Sequence, residues 1–134
     1  MKALLNSIMM KKLACGVDLV HIKQVQSDIL KLGNSYLKRA FTIDEIAYCD
    51  VKLNKYQHYA ARIAAKEAVF KALGMGWNKG LQWKHIEVTH LEQGNPYLKL
   101  HGNIPSILEE KGFTIHDLSI SHSADFAMAM VVFM

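Results

Sequence analysis

Arg62-Ile63-Ala64-Ala65-Lys66-Glu67-Ala68-Val69-Phe70-Lys71-Ala72-Leu73-Gly74 is the stretch on which the fold turns. Alanine, lysine and glutamate favour helix, so the pattern predicts one long helix over residues 57–73, with Gly74-Met75-Gly76 as its stop. At about 100° per residue, Tyr59, Ala60, Ile63, Ala64 and Phe70 share a broad apolar face, and Glu67 falls inside it. A carboxylate within an apolar stripe is costly unless it is paired or holds a metal. Lys71, one turn onward, offers an i,i+4 ion pair as the structural explanation, and a cation is the functional one. Arg62 and Lys66 are also i,i+4 neighbours, on the adjoining face. Two such cations repel, which makes sense if an anion sits between them, although a solvated helix face carries such pairs too.

Before the long helix, residues 14–20 read as a strand with a lone carboxylate, Asp18, among apolar neighbours. Asp18 either caps the helix that follows or shares a cation with Glu67, since Mg²⁺ is suited by one or two carboxylates plus water and phosphate oxygens. Ile22, Val25, Ile29 and Leu32 give a helical period closed by Gly33, and residues 34–41 make a short second helix. Thr42-Ile43-Asp44-Glu45 reads as a capping box opening a third. After the long helix the rhythm changes. Ile86, Val88 and His90 alternate, residues 92–96 turn, and residues 97–100 return as a strand. A brief helix over 104–111 ends at Gly112, and residues 118–121 and 127–133 form another strand pair. Helices early and antiparallel pairs late define an α+β class, with helices packed on a small antiparallel sheet.

The 134 residues suit one domain, expected over 14–134 behind an N-terminal extension at 1–13, with Met9 or Met10 as alternative starts. The extension only loosely resembles a signal peptide, because Asn6 and Ser7 interrupt its apolar run and Lys11-Lys12 follow it. No apolar run is long enough to span a membrane. Cys15 and Cys49 form no CxxC pairing, which suits a reducing cytoplasm. The net charge of +4 is compatible with acidic partners without choosing among them. Basic residues are scattered rather than interleaved with aromatics, so nucleic acid is not an expected partner. Phosphate-loop, HExxH, dinucleotide and GxSxG motifs are all lacking.

Three segments taken together resemble the holo-acyl-carrier-protein synthase family, the small phosphopantetheinyl transferases. Gly16-Val17-Asp18-Leu19-Val20 matches an early G-[IV]-D motif, residues 62–74 match a K-E-A-x-x-K-A-x-G helix, and Leu118-Ser119-Ile120-Ser121-His122-Ser123 matches a late S-[IV]-[ST]-H segment. Arg39-Ala40-Phe41-Thr42 with Glu45, and Ile86-Glu87-Val88 followed by Gly94-Asn95-Pro96-Tyr97, agree as well. The resemblance implies the family's fold and the transfer of 4′-phosphopantetheine from coenzyme A to a serine of apo acyl carrier protein, in fatty acid biosynthesis. It implies Mg²⁺ on Asp18 and Glu67, with Lys71 offsetting charge on the attacked phosphate. Arg62, Lys66, Gly74, Gly76 and His122 would contact the coenzyme. It also implies a homotrimer with sites between subunits. A water deprotonated through Glu67 or Asp18 would accept the serine proton. Lys23 and Lys38 are candidate contacts for the acidic carrier protein. His21 stands where the family usually has Glu, Ile63 replaces an aromatic and Met75 replaces a Thr. His21 therefore keeps open a second reading, a non-catalytic relative that binds coenzyme A or carrier protein. A third, a basic nucleic-acid-binding domain, would reveal itself by salt-dependent binding.

Overall fold

The alanine-rich stretch is helical over Lys55–Leu73, and 12 of those 19 residues are buried. It is the axis of a computed structural model that describes residues 1, 2 and 12–134. In chain order the elements are β1 (Ala14–His21), α1 (Ile22–Leu32), α2 (Asn34–Ala40), α3 (Ile43–Asp50), α4 (Lys55–Leu73), β2 (Ile86–His90), β3 (Pro96–Leu100), α5 (Ile104–Glu110), β4 (His116–Ser123) and β5 (Phe126–Phe133). Single 3₁₀ turns lie at Trp77–Lys79 and Trp83–His85. The expected extension at 1–13 and the alternative starts fall mostly outside the described residues. Among those described, no helix is long and apolar enough to cross a membrane.

The α+β expectation holds, with a particular topology. β1, β5 and β4 form an antiparallel sheet with β5 in the middle, and β2 and β3 form a separate antiparallel pair. The first strand thus pairs with the last, Asp18 standing opposite Ala129 and Gly16 opposite Val131. α4 lies across the inner face of this sheet, and Gly16 shows why its facing side is alanine. A Cβ on Gly16 would come within 1.9 Å of the Ala68 carbonyl oxygen and 2.8 Å of the Ala72 amide nitrogen. Helix and strand backbones meet there directly, so only glycine fits on one side and small side chains on the other.

The helix starts and stops follow local chemistry. Both halves of the Thr42–Glu45 capping box form, Thr42 N–H donating to Glu45 Oε1 at 3.1 Å and Glu45 N–H to Thr42 Oγ1 at 3.2 Å. α4 ends in a Schellman arrangement. Gly74 is left-handed at φ 64°, its N–H donates to the Lys71 carbonyl, and the Met75 N–H donates to that of Phe70.

Candidate active site

Strand alternation decides which way Asp18 points. On β1, Gly16, Asp18 and Val20 turn toward α4, whereas Val17, Leu19 and His21 turn outward. Because Gly16 lets the helix approach, Asp18 meets the last turn of α4. Lys71 Nζ donates to Asp18 Oδ1 at 2.7 Å, with the lysine side chain 56% and the aspartate side chain 16% exposed. The hydrogen bond and charge of Asp18 hold the Lys71 ammonium above the usual lysine pKa, and Glu67 adds to the effect. Two carboxylates therefore bear on one ammonium. The Glu67–Lys71 pair open on sequence grounds is replaced by an inter-element pair, because Asp18 reaches the lysine from the strand. Glu67 is held instead by Trp83, whose Nε1–H donates to Glu67 Oε1 at 2.7 Å.

Beside this cluster lies an open cleft of about 360 Å³, lined by Glu67, Lys71, Gly74, Met75, Gly76, Trp77, Asn78 and Lys79 among others. Gly74 and Gly76 thus border the same space as the two charged side chains. Gly74 is there as the helix stop. Gly76 is extended, and its carbonyl accepts from the Lys79 and Leu81 amides.

Arg62 and His122 fall elsewhere. Both line a second pocket of about 200 Å³ together with Tyr48, His58 and His90. The Arg62 guanidinium lies 4.5 Å from the centre of the Tyr48 ring, which stacks on His90 at 4.8 Å. Arg62 Nε is buried without a hydrogen-bond partner. Burial, with Arg62 adding charge repulsion, keeps His58 and His90 below the usual histidine pKa. Residues 62 and 71 are nine positions apart, roughly 14 Å along a helix. The expected site residues therefore form two groups at separate places along α4.

Lys66 belongs to neither group, and the expectation that it contacts the coenzyme does not survive. Its ammonium is wholly buried and donates to Glu45 Oε1 at 2.8 Å, to the Trp83 carbonyl at 3.1 Å and to the Ile86 carbonyl. Glu45 Oε2 accepts from the Val88 amide at 3.1 Å and faces Arg62 Nε at 3.8 Å. The anion between the two cations is the protein's own Glu45. A lysine taken fully out of water must be paired and hydrogen-bonded internally, which leaves it nothing for a ligand. Burial pulls its pKa down, and Glu45 works against that pull.

The profile of the 4′-phosphopantetheinyl transferase superfamily matches residues 14–131. The chain belongs to that superfamily. Among its relatives, a holo-[acyl-carrier-protein] synthase of Solibacter usitatus is 44% identical over 117 residues, which are 87% of this chain and 94% of the relative. One from Syntrophus aciditrophicus is 43% identical over 87% of this chain and 91% of its own length. The crystal structure of the synthase from Neisseria meningitidis superposes with a TM-score of 0.82 at 29% identity, covering 90% of this chain and 97% of that one. That of the Helicobacter pylori synthase in complex with coenzyme A gives 0.78 at 28% identity, covering 90% and 99%.

For a phosphopantetheinyl transferase, His21 was the main departure in the sequence. It faces outward, its ring 5.2 Å from that of Phe126, on the side of β1 opposite Asp18. The non-catalytic reading loses its support there. Trp83 and the Glu45–Lys66 pair were missed as parts of the site region. Glu45 was legible only as a cap, and an indole ten residues beyond the helix carries no periodic signal that ties it to Glu67.

Proposed function

We propose that this chain is a holo-[acyl-carrier-protein] synthase, transferring 4′-phosphopantetheine from coenzyme A to a serine of apo acyl carrier protein in the cytoplasm. Residues 14–134 would be the transferase domain, with 1–13 as an extension. The observation that carries this reading is the Asp18–Lys71 pair beside a glycine-bounded cleft that Glu67 and Lys71 both line. The serine hydroxyl attacks the β-phosphate of coenzyme A and passes its proton to a water activated through Glu67 or Asp18, the bond from that phosphorus to the bridging oxygen breaks, and adenosine 3′,5′-bisphosphate leaves. Such a transfer asks the protein for alignment and charge neutralisation more than for a nucleophile of its own.

The donor set fits Mg²⁺. Asp18 Oδ1 and Glu67 Oε1 each take one hydrogen bond, and Asp18 already pairs with a cation, the Lys71 ammonium. Two carboxylates with open positions for water and phosphate match that ion's preference. Bound there, Mg²⁺ would neutralise the diphosphate and favour the developing charge on the leaving group. Lys71, more than half exposed, can then turn from Asp18 to the phosphate under attack. Gly76 and the exposed Lys79 line the same cleft, and the Lys79 ammonium suits an anion.

A trimer with sites between subunits would bring the two groups together, Arg62 and His122 of one copy completing the Asp18–Glu67–Lys71 cluster of the next. The outer face of the three-stranded sheet supports such an assembly. Val17, Leu19, Phe126, Met128 and Met130 are all exposed there, and the register sets Val17 against Met130 and Leu19 against Met128. Lys23 and Lys38, both exposed on α1 and α2, remain the proposed contacts for an acidic carrier protein.

Mass spectrometry of apo carrier protein after incubation with this protein, coenzyme A and Mg²⁺ tests the assignment. The expected result is a gain of one phosphopantetheine, abolished by chelator and by Asp18→Ala. No gain on several apo carriers with folded enzyme would overturn it.

A further inference from the structure

We propose that Trp83 is a positioning residue that fixes the orientation of Glu67 for the divalent cation. The inference rests on the reading that Asp18 and Glu67 hold that cation. An indole N–H can only donate, and here it donates to one carboxylate oxygen, Glu67 Oε1, at 2.7 Å. That bond pins the carboxylate while leaving Oε2 as a ligand.

Trp83 itself has little freedom. Its carbonyl accepts from Lys66 Nζ, the buried ammonium one residue before Glu67 on α4. The same ammonium reaches Ile86, and Glu45 holds both Lys66 and the Val88 amide, so the 3₁₀ turn and the start of β2 are fastened to the helix from behind. The ring meets Trp77 edge-on at 5.4 Å and Tyr36 at 6.1 Å. α4 thus contributes both the side chain to be aimed and, through Lys66, the anchor of the group that aims it. Partners behind metal-bound side chains are worth roughly tenfold to a hundredfold in metal affinity or activity.

Trp83→Phe removes the N–H while keeping an aromatic ring and the carbonyl that Lys66 uses. Mn²⁺ binding to the resting enzyme, followed by electron paramagnetic resonance, should weaken about tenfold. The Mg²⁺ concentration giving half-maximal rate should rise by the same factor. The KM values for coenzyme A and carrier protein should hold, and much of kcat should return at saturating Mg²⁺. A merely structural role would lower stability without selecting the metal dependence.

A second measurement needs no variant at position 83. In ¹⁵N-labelled protein, with Trp77→Phe used to assign the two indole signals, the Trp83 N–H resonance should move on Mg²⁺ addition and stay still in Asp18→Ala. Unchanged Mn²⁺ affinity in Trp83→Phe, or an unmoved Trp83 resonance while Mg²⁺ binds, would overturn the role of Trp83 and leave the cation site intact. Mn²⁺ binding insensitive to Asp18→Ala would overturn the cation site and this inference with it.

Discussion

Gly16 has one hydrogen where any other residue would need a carbon, and that difference places Asp18. With a Cβ only 1.9 Å from the Ala68 carbonyl oxygen, Gly16→Ala cannot be relieved by a rotamer change, since the atom it meets is helix backbone. Strand and helix must separate. Overpacking of this kind costs about 3 kcal/mol, equivalent to a fall in Tm of roughly 10 °C for a chain of this size. Because Asp18 is two residues along the same face of β1, the separation also draws its carboxylate from Lys71. Thermal melts and Mg²⁺ titration of the variant should therefore show both a lower Tm and a weaker metal response. A variant that melted earlier but kept its Mg²⁺ dependence would show that Asp18 tolerates the movement.

Between elements, the Glu45–Lys66 pair joins α3, α4, the turn at Trp83 and β2, and it marks the limit of what the sequence discloses. Helix bounds, the capping box and the glycine stops were legible because each depends on residues within a turn of one another, as Thr42 and Glu45 do. Asp18 and Glu67 were legible as costly carboxylates in apolar surroundings. That Lys66 lies inside rather than on a solvated face was not, because α4 is covered on nearly all sides and so shows no clean apolar stripe. Nor could local pattern reveal that β1 pairs with β5 more than 100 residues away, or that Trp83 turns back to Glu67. Lys66→Met leaves Glu45 buried with Arg62 only at 3.8 Å, and breaking such a pair costs about 3–5 kcal/mol. Urea denaturation should show that loss, and Glu45→Gln with Lys66→Met should recover part of it. The variant enzyme that remains folded should keep its KM for coenzyme A. A selective rise in that KM would restore Lys66 to the ligand site.

At the scale of the molecule, four half-buried histidines make stability depend on pH. Burial, aided by neighbouring cations at His58, His85 and His90, holds all four below the usual histidine pKa, and His116 has a buried Nε2 with no partner. The unfolded chain takes up protons near pH 6.5 while the folded one resists, so their contribution is full above that pH and is lost as pH falls below it. Tm should drop by several degrees between pH 7 and 5.5, and His116→Phe, which keeps a ring against Tyr97 and Phe133, should flatten part of the slope. A Tm independent of pH across that window would show that the histidines titrate freely. The larger consequence of the architecture is the separation of Arg62 and His122 from Asp18, Glu67 and Lys71. If copies share sites, Asp18→Ala and His122→Ala subunits, each nearly inactive alone, should complement when unfolded together and refolded as mixed trimers. With random 1:1 mixing, each site takes its acidic half from one copy and its basic half from the next, so about one site in four is intact. Activity should therefore return to about a quarter of the parent level, while a site built within one chain would regain nothing, because every chain carries a lesion.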